Sequence, residues 1–315
     1  MKSLIGKVPI LIPTLCRFEH LKRCIESLKN NPYSKYTPLI IAVDYPSKEE
    51  HFKGYLDIKN YLNTLNGFYS IEIIYRNYNW GVLKNYFELV KYASTKYEYF
   101  IFSEDDIEYS PNFIEFMLQG VKIMQNDSNV LATCGYSSNK YKKINSTAMY
   151  SHSFCAWGYA MKTNVFIEKL DSIITTDYAK QILNNLVHSL TIIKHDILAF
   201  NLLINEILEN DRYEDVSLSC YSFLNKNYKF IVPTISKSRN HGCDGSGAHC
   251  SISKELSLHE IDLNTTFNFT INKEIKDKTK EKKNFRDILF TLSRYILYHA
   301  INNILISKLK KKFNI

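Results

Sequence analysis

The sequence is poor in glycine, with ten in 315 residues. Neither Gly-x-Gly-x-x-Gly nor Gly-x-x-x-x-Gly-Lys occurs, which sets aside dinucleotide-binding dehydrogenases and P-loop ATPases. A bound nucleotide would need its phosphates neutralised by a metal ion, because no backbone cradle is encoded. No Cys-x-x-Cys pair occurs either. The seven cysteines, at 16, 24, 134, 155, 220, 243 and 250, are scattered and odd in number. That pattern predicts reduced thiols in a cytosolic protein and excludes a disulfide scaffold or a structural zinc site. Met1–Lys7 lacks the basic segment, apolar run and small-residue cleavage site of a signal peptide. No uncharged apolar run approaches the roughly 18 residues that span a bilayer. The expected location is therefore cytoplasmic.

A basic main body is also missing. The net charge of +8 suggests nucleic acid until it is localised. From Lys273 onward there are 12 Lys and Arg against 4 Asp and Glu, and the preceding 272 residues hold 28 of each sign. The body is neutral, so no nucleic-acid partner is expected and the basic character belongs to a tail.

What the chain does have is a repeating alternation. Apolar runs at 8–12, 39–43, 71–75, 99–102 and 130–134 read as strands. Segments of helical periodicity, 19–29, 48–65, 83–93 and 111–125, lie between them. This predicts βαβ units, an α/β fold and a mostly parallel sheet. Polar residues gather at the strand exits: Thr14 and Arg17, then Asp44, then Arg76 and Asn77, then Glu104-Asp105-Asp106. In such sheets ligands bind at the carboxyl ends of the strands. The three consecutive acids follow a wholly apolar strand, Tyr99–Phe102, a costly placement unless a cation partners them. Mg²⁺ and Mn²⁺ suit such oxygens. The following helix has its own start signal in Ser110 and Pro111, so capping does not account for the acids.

Together these features resemble the GT-A glycosyltransferases, with their Rossmann-like sheet, and in particular the family-2-like bacterial enzymes of lipopolysaccharide and capsule synthesis. Ile10-Leu11-Ile12-Pro13-Thr14 with Arg17 is similar to the family's opening strand and loop, Asp44 to its second-strand acid, and Asn79-Trp80-Gly81 with Lys84 to its donor loop. Glu104-Asp105-Asp106 resembles the Asp-x-Asp-type metal motif, in the form seen in N-acetylglucosaminyltransferase I-like enzymes. The resemblance covers about residues 8 to 250. It implies a GT-A domain over 1–270 that moves a hexosyl or N-acetylhexosaminyl group from a nucleotide sugar, a UDP-sugar first of all, to a glycan or lipid-linked glycan. It assigns Thr14, Arg17, Asp44, Arg76, Asn77, Gly81, Lys84, Glu104 and Asp105 to the nucleotide sugar, and Asp106 with His249 to Mn²⁺ or Mg²⁺. Trp157 and Gly158 would border the donor or acceptor sugar, although a lone Trp is often core. Glu214-Asp215 open a predicted helix at 216–224. Capping explains them in part, and the resemblance implies that Asp215, with Glu214 or Asp211 in reserve, is the base of an inverting transfer.

The segment Arg239–Cys250 holds three of the ten glycines within six residues, interleaved with His241, Asp244 and His249. The resemblance makes it a loop that closes over the diphosphate. The region 177–209, a long and broken helical stretch, contains His188 and the pair His195-Asp196. The tail, 271–315, has apolar residues near helical spacing and ends in Lys308 and Lys310-Lys311-Lys312. It reads as a basic amphipathic helix that lies on the inner face of a membrane, packs on the body or forms a dimer. Two other readings remain. A sugar-phosphate nucleotidyltransferase would carry a glycine-rich loop after the first strand, and Pro13–Phe18 has none. A non-catalytic sugar-binding relative would have no reason to keep every polar strand exit.

Overall fold

The computed structural model describes residues 2–137, 145–209, 214–245, 260–266, 268–275 and 285–313. His249, Asp211 and Cys250, each named above, lie outside these. The chain divides into two compact units.

The first unit comprises Met1–Ser151, Cys155–Glu168 and Tyr228–Ile275. Its strands are β1 (Ile10–Thr14), β2 (Leu39–Val43), β3 (Ile71–Tyr75), β4 (Tyr99–Phe102), β5 (Ile107–Tyr109), β6 (Val130–Cys134), β7 (Ala148–Ser151), β8 (Tyr159–Lys162), β9 (Lys229–Pro233), β10 (Ser238–Asn240) and β11 (Ile271–Ile275). Its longer helices are α1 (Phe18–Lys29), α2 (His51–Leu62), α3 (Val82–Ser94) and α4 (Phe113–Met124). Nine strands form one sheet in the order β11-β7-β9-β6-β8-β4-β1-β2-β3, and β5 pairs with β10 apart from it. The run β4-β1-β2-β3 is parallel. β8 enters antiparallel between β4 and β6. The sheet is thus mixed and mostly parallel, as the alternation predicts.

β2 and β4 are buried along their whole length, as strands covered on both faces must be. α1 turns Leu21, Cys24, Ile25 and Leu28 into the core. Strand β1 runs two residues beyond the expected end and includes Pro13, an unusual residue for a central strand. Its pairing explains the exception. β1 meets β4 only through Ile10 and Leu11, whereas its register with β2 continues to Thr14. At Pro13 the β4 side is already open, so the missing N–H is not needed there.

That opening is the switch point of the sheet: the chain leaves β1 toward β2 and β3 on one side and returns to β4 on the other. Helix α4 starts at Phe113, with Asn112 rather than Ser110 at the cap position and no side-chain capping bond. Residues 271–275, expected in the tail, form β11 and pair parallel with β7, so the sheet continues past position 270.

The second unit comprises His152–Phe154, Lys169–Asn227 and Lys276–Ile315. It holds α5 (Thr176–Leu183), α6 (Leu186–His195), α7 (Ile197–Glu209), α8 (Glu214–Leu224) and α9 (Phe285–Phe313). The breaks in 177–209 have local causes. Thr175, Asn185 and Asp196 each accept a hydrogen bond from a backbone N–H three residues on, which starts a new helix. This gives Asp196 a capping role, while His195 stacks on Phe223. The apolar core of the unit joins Ile182, Leu183, Phe200, Leu203, Phe223 and Tyr298. The tail helix α9 therefore contributes to this core through Tyr298. Among the described residues no cysteine is in a disulfide, and no helix is long and apolar enough to cross a membrane.

Candidate functional site

The carboxyl ends of β1 and β4 bring four of the expected residues together. Thr14 Oγ1 donates to Asp105 Oδ2 at 2.8 Å. Arg17, in the loop before α1, donates through Nη2 to Asp105 Oδ1. Arg17 Nη1 stands 2.9 Å from Asp106 Oδ2. This second contact is one of charge, because Nη1 makes no aligned hydrogen bond. Asp105 and Asp106 are only 5% and 8% exposed.

Burial pushes the Asp105 carboxyl up, and the neighbouring Asp106 adds to that rise, more than Arg17 and Thr14 pull it down. Burial works against the charge of Arg17, yet the two carboxylates outweigh it and hold the guanidinium more firmly protonated than usual. Asp106 Oδ1 is buried without a hydrogen-bond partner. Glu104 is half-buried beside them, and its carbonyl accepts from Ser103 Oγ at 2.8 Å.

Beneath this corner Tyr109 Oη donates to Ser103 Oγ at 2.7 Å, and Cys24 Sγ lies 3.3 Å from the same oxygen. Burial raises both the Tyr109 phenol and the Cys24 thiol well above their ordinary values. Both stay neutral, and the acids stand on an uncharged floor.

The ends of β2 and β3 gather a second group. Asp44 accepts at Oδ1 from the backbone N–H groups of Tyr45 (2.9 Å) and Trp80 (2.8 Å). Its Oδ2 accepts from Gly81 N–H at 2.9 Å and from Asn79 Nδ2 at 3.4 Å. Asp44 thus shapes the 78–81 loop, whose Gly81 has φ +76°. The Arg76 guanidinium stacks 3.9 Å over the Trp80 ring and donates through Nε to Asn85 Oδ1 at 2.9 Å. Burial lowers its pKa against the pull of Asp44. Lys84 Nζ lies 4.8 Å from the same ring, and Asn77 is exposed. Arg76 Nη2 and Trp80 Nε1 have no hydrogen-bond partner. The two groups are joined by Asp44 N–H donating to Thr14 O at 2.8 Å.

The glycine-bearing segment lies against the acidic corner as far as it is described. His241 N–H donates to Asp106 O at 2.9 Å. A Cβ at Gly242 would come 2.2 Å from Asp106 Oδ2, so only glycine allows this approach. Two ties hold the segment, through residues the sequence did not single out. His241 Nε2 is 2.8 Å from Glu108 Oε2, and His20 Nε2 is 3.1 Å from Asp244 Oδ2. The hydrogen bond from His241 holds the Glu108 carboxyl below its ordinary value, against the effect of burial. The β5–β10 pairing brings His241 beside Glu108, while His20 reaches Asp244 from α1; three-residue strands leave little trace in a sequence.

Trp157 packs edge-on against Tyr136 at 4.6 Å and leans on the core of the first unit. Gly158, at φ +80°, could not carry a Cβ, which would meet the Tyr109 ring at 2.5 Å. Glu214 and Asp215 form the first turn of α8 in the second unit.

A divalent cation fits the corner on one observation, the buried and unpartnered Asp106 Oδ1. Among the described residues no group of three or more His, Cys, Asp or Glu is assembled to hold a metal. Mg²⁺ and Mn²⁺ commonly take one or two carboxylates and complete their shell with water and substrate phosphates.

A mostly parallel sheet flanked by helices, with paired carboxylates at its switch point, is a GT-A-like arrangement. Residues 10–199 match Glycosyl transferase family 2, well over half of the chain, and the chain belongs to that family. Comparison with curated proteins returns no match. Among solved structures, TarS 1–349 of S. aureus is similar at a TM-score of 0.38 and 12% identity, over 53% of this chain and 49% of that one. This chain thus spans about half of that protein's length. A mannosyltransferase, PcManGT from Pyrobaculum calidifontis, in complex with GDP-Man and Mn²⁺, is similar at a TM-score of 0.40 and 10% identity, over 70% of each chain.

Proposed function

We propose that this glycosyltransferase moves a hexosyl or N-acetylhexosaminyl group from a nucleoside-diphosphate sugar, a UDP-sugar first of all, to a hydroxyl of a glycan or lipid-linked glycan in surface polysaccharide or lipopolysaccharide synthesis. The observation that carries the reading is the buried Asp105–Asp106 pair at the β1/β4 switch point with Asp106 Oδ1 left unpartnered. Mn²⁺ or Mg²⁺, held by Asp106 with His249 as the imidazole ligand, supplies charge neutralisation for a leaving diphosphate. Thr14 and Arg17 orient Asp105, and Glu104 lies beside the pair. Arg76, Lys84 and the Gly81 loop offer positive and N–H groups to the nucleotide, with Asp44 holding that loop in shape and Asn77 at its mouth. Trp157 and Gly158 border the sugar. Asp215, with Glu214 beside it, takes the proton of the acceptor hydroxyl as the anomeric carbon is attacked from the face opposite the diphosphate, and the transfer inverts that centre.

The test is nucleotide release from UDP-, GDP-, CMP- and dTDP-sugars, with and without Mn²⁺. One donor class should be turned over, only with the cation, and Asp106→Asn should reduce turnover at least about 100-fold while its circular dichroism is unchanged. Wild-type turnover by that variant would overturn the reading.

The tail is proposed to contact a membrane peripherally. What supports this is the outer face of α9, where Leu289, Phe290, Ile296 and Leu297 are 50%, 60%, 67% and 59% exposed. The sequence then continues to Lys308 and Lys310–Lys312. Apolar faces of this kind lie in the headgroup layer of anionic bilayers.

A further inference from the structure

Arg17 places one cationic side chain against both buried carboxylates of the acidic corner at once. One positive charge faces two buried negative ones. The guanidinium is held firmly by Asp105, and its contact with Asp106 is the less directed of the two; its side chain is 23% exposed.

We infer that Arg17 is the resident counter-ion of this corner, that it must leave Asp106 before a divalent cation is held there, and that the diphosphate of an incoming nucleotide draws it away, so that cation and nucleotide bind as a coupled pair. The nucleotide part rests on the proposed function, whereas the competition between Arg17 and the cation does not.

The physical grounds are threefold. A guanidinium and a divalent cation on the same buried carboxylate repel each other at close range, with little solvent to screen them. The described residues assemble no third ligand to offset that repulsion. A guanidinium fork suits phosphate oxygens as well as carboxylate oxygens, so the exchange gives Arg17 an equivalent partner. Because coupling is reciprocal, whatever the nucleotide does for cation affinity, the cation does for nucleotide affinity.

The experiment is titration of the full chain with Mn²⁺, reading the free ion by electron paramagnetic resonance, with and without UDP or GDP. The wild type should bind Mn²⁺ weakly alone and about tenfold or more tightly with one of the nucleotides. Arg17→Met should bind Mn²⁺ alone about tenfold more tightly than the wild type, with the nucleotide effect reduced. Arg17→Lys, which keeps the charge, should stay close to the wild type. If Arg17→Met does not fold by circular dichroism, Arg17→Gln carries the same expectation. A folded neutral variant that binds Mn²⁺ no more tightly than the wild type overturns the inference, as does tight wild-type binding that neither nucleotide improves. A neutral variant that gains Mn²⁺ affinity while neither nucleotide binds any form of the protein would uphold the role of Arg17 and sink the proposed function.

Discussion

Two pairs of adjacent acids, one in each unit, are placed under opposite physics. Asp105 and Asp106 lie buried behind an apolar strand, where burial and the neighbouring Asp106 push the Asp105 carboxyl up and Arg17 offsets only part of that rise. Glu214 and Asp215 occupy the first turn of α8, where the exposed N–H groups and the helix dipole favour negative charge. The first pair is costly to the fold, and that cost is itself a sign of function. The second pair is favourable to the fold, so its presence says little about catalysis. The lesson is that an acid is informative in proportion to how poorly local structure explains it.

Neutralising each pair in turn tests the contrast. Asp106→Asn should remove transfer while its far-ultraviolet circular dichroism stays that of the wild type, which separates a lost function from a lost fold. Asp215→Asn should lower kcat at least about 100-fold if it is the base, at a cost near 0.5 kcal/mol from the lost dipole interaction. An unchanged kcat with only that small loss would leave Asp215 as a helix-terminus residue and nothing more.

Gly158→Ala sharpens the comparison from the packing side. It places a Cβ against Tyr109 in the floor beneath Asp105 and Asp106, and should cost about 2–4 kcal/mol in urea unfolding from strain at positive φ and overpacking. Gly81→Ala, at a positive φ with open space around it, should cost only about 1–2 kcal/mol.

For the second unit, Phe290→Asp should lower co-sedimentation with phosphatidylglycerol-containing vesicles about tenfold or more and leave the core around Tyr298 intact. Equal sedimentation of both forms would remove the membrane reading of α9.

The smallest effect is expected at Glu108. Its pKa is depressed in the folded protein, so its contribution to stability is present above the ordinary carboxylate value and is lost as pH falls through the depressed one. The melting-temperature gap between wild type and Glu108→Gln should be present at neutral pH and close in that acidic window. A gap that persists below it would mean the carboxylate–His241 tie is not its source.

Much of the fold was legible because short apolar runs alternating with helical periodicity have few alternatives. β2, β3, β4 and β6 fall on the expected residues, and Arg76 and Asp44 sit at strand ends as expected. Strands β5, β7, β8, β10 and β11 were harder to read. They are three to five residues long, and β8 exists because β4 and β6, far apart in sequence, leave a gap that it fills from the opposite direction. The shift from Ser110 to Asn112 at the start of α4 has a similar cause: the preceding residues are drawn into pairing with β10, with Ser110 N–H donating to Lys237 O. The Glu108–His241 tie follows from that same pairing, the His20–Asp244 tie joins the segment to α1, and neither has a local signature.

By itself the amino-acid order determined the alternation of strand and helix, the acids behind β4 and the family, because burial periodicity and strand-end chemistry are local properties of a chain. Only the tertiary structure decided that Arg17 rather than solvent faces Asp105 and Asp106, that Asp44 spends its oxygens on the 78–81 loop, and that Gly242 closes on Asp106. Those pairings join residues dozens to more than a hundred positions apart, and they depend on where β1 and β4 part company, a distance that no stretch of sequence encodes alone.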